Sequence, residues 1–65
     1  MKTITVRTKR GINYSYNDKD YPKVDIDQND KTISIYYKID GYCVRTLLLI
    51  PIIEIVYIKF KYTDK

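Results

Sequence analysis

The sequence predicts an all-β protein, a small antiparallel arrangement of six strands rolled into a barrel or folded as a sandwich, with a short 3₁₀ turn near Pro51. Three observations predict it. Eleven isoleucines and eight tyrosines, with no alanine and no tryptophan, supply branched and aromatic side chains that suit a pleated, half-buried surface. Apolar and polar residues alternate over short runs, as in Thr3 to Thr8 and Ile12 to Tyr16. Between the runs stand clusters of turn-forming residues, and nowhere is there a helical crossover.

The first two strands, Thr3 to Thr8 and Ile12 to Tyr16, flank Lys9-Arg10-Gly11, which fits a three-residue hairpin loop with Gly11 in the left-handed conformation of a bulge. Pairing Thr8 with Ile12 sets Val6 opposite Tyr14 and Ile4 opposite Tyr16, so the apolar residues share one face. Asn17 to Pro22 is a surface connection. Strand three, Lys23 to Asp27, turns Val24 and Ile26 inward, and a four-residue loop, Gln28 to Lys31, sets them against Ile35 and Ile33.

Thr32 to Ile50 reads as one long hairpin. Asp40-Gly41 supplies a two-residue type I′ turn, which pairs Ile39 with Tyr42, Tyr37 with Val44, Ile35 with Thr46 and Ile33 with Leu48 on the core face. The opposite face then carries Lys38 with Cys43, Tyr36 with Arg45, Ser34 with Leu47 and Thr32 with Leu49. Pro51 holds Ile50 extended, and a buried corner with one 3₁₀ turn follows. Ile55 to Tyr62 is the last strand, with Val56, Ile58, Phe60 and Tyr62 on the core side and Ile55, Tyr57, Lys59 and Lys61 on the other.

The segment Ile50-Pro51-Ile52-Ile53-Glu54-Ile55-Val56 resembles the proline-containing 3₁₀ turn that precedes the last strand of SH3 domains. The resemblance implies an SH3-like barrel. It does not extend to that family's proline-peptide groove, because the chain has no tryptophan and no ALYDY-like stretch. OB and Sm folds fit less well, each normally including a helix.

Sixty-five residues make one domain, which hides only about 60% of the surface its unfolded chain exposes. One cysteine and no histidine leave neither a disulfide framework nor a usual zinc ligand set, and no cofactor is expected. Without histidine or paired carboxylates in a pocket, no enzyme is expected either. Cys43 opposite Lys38 has no base to accompany its thiol. Asp25, Asp27 and Asn29 have the spacing that opens an EF-hand loop, but Asp30 stands at the glycine position and Tyr36 at the glutamate position, so they read as solvated strand ends. The apolar run Leu47 to Ile53 is too short to cross a membrane, and no secretory signal opens the chain, which suggests a cytoplasmic setting.

Two binding surfaces stand out. Tyr36, Cys43, Leu47 and Leu49 form a face that turns apolar away from the hairpin turn, and an exposed apolar patch marks a protein interface. It leads to the first expectation, a non-enzymatic protein-binding module that occupies a partner's surface or self-associates. The small size and AT-rich coding suit a phage or mobile-element inhibitor or accessory protein. The second expectation is a nucleic-acid-binding barrel. Residues 1 to 16 carry four cations and no acid, and residues 17 to 30 carry a net minus three. Arg7, Lys9, Arg10, Tyr14, Tyr16, Lys59 and Lys61 are its candidates, phosphates meeting the cations while bases stack on the tyrosines.

Overall fold

The computed structural model describes residues 1–40 and 43–63. Six strands run as β1 (Lys2–Thr8), β2 (Asn13–Asn17), β3 (Asp25–Gln28), β4 (Thr32–Ile39), β5 (Cys43–Pro51) and β6 (Ile55–Tyr62), with the 3₁₀ turn Ile52–Glu54 between the last two. They form two antiparallel three-stranded sheets, β2-β1-β6 and β3-β4-β5. Among the described residues the ladders do not close into a barrel, and no helix is long and apolar enough to cross a membrane.

The first hairpin has the expected register: Val6 pairs with Tyr14 and Ile4 with Tyr16. Gly11 has φ of +85°, which an L side chain adopts only with strain, and the Thr8 N–H donates to the Ile12 carbonyl at 2.9 Å. Ile4, Val6 and Thr8 are buried on the inner side of β1, and the inner side of β4 answers with Ile33 and Ile35. Val24, ahead of β3, is buried between them.

The third strand starts later than expected, at Asp25, because Lys23 takes a positive φ of 57° that ends extended pairing. Its loop is also shorter. The Asn29 side-chain oxygen accepts from the Lys31 and Thr32 N–H groups, both at 2.8 Å, so Gln28 joins the strand and pairs with Ile33. Ile26 therefore lies opposite Ile35, not Ile33, although on the same inner face.

The second hairpin departs from the expected register at two places. Gly41 and Tyr42, half of the expected type I′ turn, lie outside the described residues, but Ile39 pairs with Cys43 in place of Tyr42. The following pairs are Lys38 with Val44, Tyr37 with Arg45 and Tyr36 with Thr46. A bulge then intervenes: Ile35 pairs with Leu48, and Leu47 is the extra residue. The bulge lets two consecutive residues, Leu47 and Leu48, both pack against the core, which strict alternation forbids. Val44 is thereby turned outward.

A second bulge, between Arg7 and Thr8, sets β6 against β1. Thr8 pairs with Ile55 and Arg7 with Tyr57, leaving Val56 unpaired in register and 54% exposed. Ile55 joins Ile58 against the core in place of Val56. Phe60 and Tyr62, expected in the core, are exposed: they lie opposite Ile4 and Lys2 on the edge strand of the sheet.

Beside the shared core, aromatic contacts and one ion pair among the described residues join the sheets. Tyr16, Tyr21 and Tyr37 meet edge to face, with ring centres 5.5 and 5.3 Å apart, the preferred aromatic arrangement. Lys2 Nζ on β1 lies 3.9 Å from Asp25 Oδ1 on β3, while within the second sheet the Lys38 N–H donates to the Pro22 carbonyl at 3.2 Å and continues the β3–β4 ladder. At the other end each sheet gains one more backbone bond, Lys9 N–H to the Glu54 carbonyl beyond the β1–β6 pairs and Ile52 N–H to the Lys31 carbonyl beyond the β4–β5 pairs, both at 2.9 Å.

Candidate nucleic-acid interface

On β1, alternation sends the even residues inward and leaves Thr3, Thr5 and Arg7 outside. The registers carry this phase to both neighbours. Three rows cross the outer face of the sheet: Asn17-Thr3-Lys61, Ser15-Thr5-Lys59 and Asn13-Arg7-Tyr57. Three cations and no acid occupy those nine positions. Arg7 Nη1 donates to Asn13 Oδ1 at 3.3 Å, and Thr5 and Ser15 share a hydroxyl hydrogen bond of 3.4 Å. These contacts hold side chains of the central and edge strands flat on the sheet while Lys59 and Lys61 stay exposed. Lys9 and Arg10 extend the charge over the loop next to the Arg7 row.

The face thus assembles Arg7, Lys59 and Lys61, with Lys9 and Arg10 at its end. It does not include Tyr14 and Tyr16, which face inward opposite Val6 and Ile4 and pack against the core. Burial and the neighbouring Tyr21 and Tyr14 hydroxyls push the Tyr16 phenol above its usual pKa. The aromatic ring on the cationic face is Tyr57, beside Arg7 and 44% exposed. The alternation of β6 had already grouped Tyr57 with Lys59 and Lys61, and that was the signal for choosing it over Tyr14 and Tyr16.

Asp20, in the loop after β2, accepts from the Asn17 amide at 3.2 Å at one end of this face, and the acids carried on strands lie on the other sheet. Asp25 and Asp27 edge the outer face of β3-β4-β5, opposite Tyr36 and Ser34. That face has a depression of about 400 Å³, lined by Asp27, Ser34, Tyr36, Lys38, Val44 and Thr46. Of the four residues expected to form an apolar interface, Tyr36 lines this depression and Leu49 is 63% exposed on the same face. Leu47, by contrast, turns into the core at the bulge, and Cys43 is in β5 without its expected partner, since Lys38 pairs with Val44. Asp25 is bonded to Lys2 and to the Ile26 N–H, and Asn29 to its own loop. Among the described residues no three carboxylate, cysteine or histidine groups gather as metal ligands would.

Comparison with protein-family models, curated proteins and solved structures gives no match. The geometry of the two sheet faces therefore carries the functional argument by itself.

Proposed function

We propose that this chain is a non-enzymatic binding module whose ligand is single-stranded nucleic acid, held on the outer face of β2-β1-β6. The observation that carries the reading is the row of Arg7, Lys59 and Lys61 along a face whose nine strand positions hold no acid, with Tyr57 beside Arg7. Phosphates release counterions when they meet such cations, and an exposed ring offers a base a stacking surface. The hydroxyls and the amide of Thr3, Thr5, Ser15 and Asn13 add hydrogen-bonding groups that suit a sugar-phosphate backbone. The 3₁₀ turn Ile52–Glu54 ahead of β6 supports an SH3-like reading of the two sheets as an incomplete barrel.

The test is a titration of labelled oligonucleotides at 50 and 200 mM salt. Three phosphate contacts on a single strand give a slope of about −2 in log K against log salt, a loss of roughly twentyfold between those concentrations. The double substitution Lys59→Ala and Lys61→Ala, on an exposed face, reduces the slope to about −0.7. Absence of saturable binding at 50 mM salt eliminates the reading.

A second reading keeps a protein partner and moves its surface. Leu47 is packed inside, so the apolar contact would be made by Leu49, Val44 and Tyr36 around the depression on β3-β4-β5. A partner side chain seated there would meet an aromatic ring and aliphatic groups between Asp27 and Lys38, the mixed lining of a small binding pocket. Binding of a protein partner that survives high salt and is lost with Tyr36→Ala separates this reading from the first.

A further inference from the structure

At the end of the cationic face nearest the Lys9-to-Gly11 loop, the two sheets leave a cavity of about 140 Å³. It is lined by Thr8, Arg10, Ile12, Tyr14, Ile50 and Glu54. We propose that it receives one unstacked guanine base of a bound single strand, an inference that rests on the nucleic-acid reading above.

The walls suit a flat heterocycle. Ile12 and Ile50 are aliphatic, and Tyr14, half-buried on the inner side of β2, supplies an aromatic ring. Two polar groups are free to choose the occupant. The Thr8 hydroxyl is not one of them, because it already bonds the Ile12 backbone at 3.2 and 3.4 Å. Arg10 and Glu54 line the same cavity, yet Lys2 with Asp25 is the one ion pair among the described residues. The hydrogen bond from the Lys9 N–H to the Glu54 carbonyl fixes the loop against the 3₁₀ turn through the backbone, and among the described residues no donor takes up the Glu54 carboxylate.

A carboxylate repels phosphate, so the cavity is a poor site for the backbone and a good one for hydrogen-bond donors. Its two oxygens accept best from two adjacent N–H groups, in short, charge-assisted bonds. Among the bases only guanine presents two such donors side by side, N1–H and the N2 amine. Cytosine and adenine each set one amine beside an acceptor, and thymine and uracil flank one N–H with two carbonyls. Recognition of splayed-out bases by their Watson–Crick edge and by stacking is the usual way single strands are read. The path is continuous: Lys61, Lys59 and Arg7 follow one another over about 13 Å of strand, and Arg10 continues the line to the cavity mouth.

The experiment compares three labelled ten-residue oligothymidylates on the full chain by fluorescence anisotropy at 50 mM salt. One has a central guanine, one a central inosine, which lacks the N2 amine, and one neither. The expected result is about tenfold tighter binding of the guanine oligomer than of either other. Glu54→Gln, checked for fold by circular dichroism, brings the guanine oligomer down to the level of the inosine one. Equal binding of all three by the unaltered protein overturns the pocket and leaves the nucleic-acid reading standing, as does a guanine preference that survives Glu54→Gln. No binding of any oligomer overturns both.

Discussion

Strict alternation puts Leu47 and Leu49 on one face, whereas the bulge separates them, so truncating each to alanine measures the bulge directly. Leu47 is half-buried and packs against Ile4, Val6, Val24 and Ile35, whereas Leu49 is 63% exposed opposite Ser34. A fully buried leucine truncated to alanine costs about 2–5 kcal/mol, and a half-buried one about half of that, roughly 1–2.5 kcal/mol. For a domain of this size each kcal/mol moves the thermal midpoint by about 4–8 °C, so Leu47→Ala lowers it by roughly 4–20 °C. Leu49→Ala removes surface in contact with water and stays within about 0.5 kcal/mol. Thermal denaturation followed by circular dichroism, with urea unfolding as a second axis, reads both. An unbulged hairpin with a two-residue turn puts Leu47 and Leu49 on one outer face and predicts small, similar losses. Equal midpoints for the two variants, or a larger loss at Leu49, would refute the bulge and the inward placement of Leu47.

Gly11→Val destabilises by about 1–2 kcal/mol, because φ of +85° strains a β-branched residue even though nothing lies within 4 Å of the added Cβ. Gly11→Asn, which tolerates the left-handed region, loses less, and comparison of the two urea midpoints checks the assignment. Tyr16 has its pKa raised in the folded state by burial first and by its tyrosine neighbours second. The unfolded chain therefore releases this proton earlier, and stability falls as pH rises from about 10 toward the folded pKa. Tyr16→Phe should flatten that part of the stability profile relative to the unaltered protein, measured by urea midpoints from pH 9 upward. An identical alkaline decline in both proteins would sink this account.

How much of the fold could be read in advance depended on whether strict alternation held. In the first hairpin it did. One glycine with positive φ and two short amphipathic runs leave a single register that keeps Ile4, Val6, Tyr14 and Tyr16 together, and that register is present. The second hairpin failed because its turn was allowed to propagate a register over eight pairs. Leu47-Leu48-Leu49 is a run that cannot alternate, and a bulge at that point is how the sheet places Leu47 and Leu48 inside with Leu49 outside. Ile55-Val56-Tyr57-Ile58 carries the same signal in β6, where the bulge exchanges Val56 for Ile55 in the core. In both strands an unbroken apolar run marks the place where the period of two is interrupted.

The candidate interface was legible in its parts and not in its assembly. Periodicity put Arg7 on the outer phase of the first strand and Lys59 and Lys61 on the outer phase of the last, but nothing local brings together strands about fifty positions apart in sequence. The β1–β6 pairing does so, and its register decides which rows form. Had the bulge between Arg7 and Thr8 been absent, the pairs Arg7–Tyr57 and Thr5–Lys59 could persist while Ile55 turned outward, so the cationic face is independent of the feature that completes the core. Lys59 and Lys61 also lie on a strand whose second edge is unpaired in the sheet, where lysine discourages edge-to-edge aggregation. Edge protection alone accounts for lysines on β6. It gives no reason for Arg7 on the central strand, whose edges are both paired, to stand on the same face beside Tyr57. That central arginine, unexplained by edge protection, is the ground on which the nucleic-acid proposal rests.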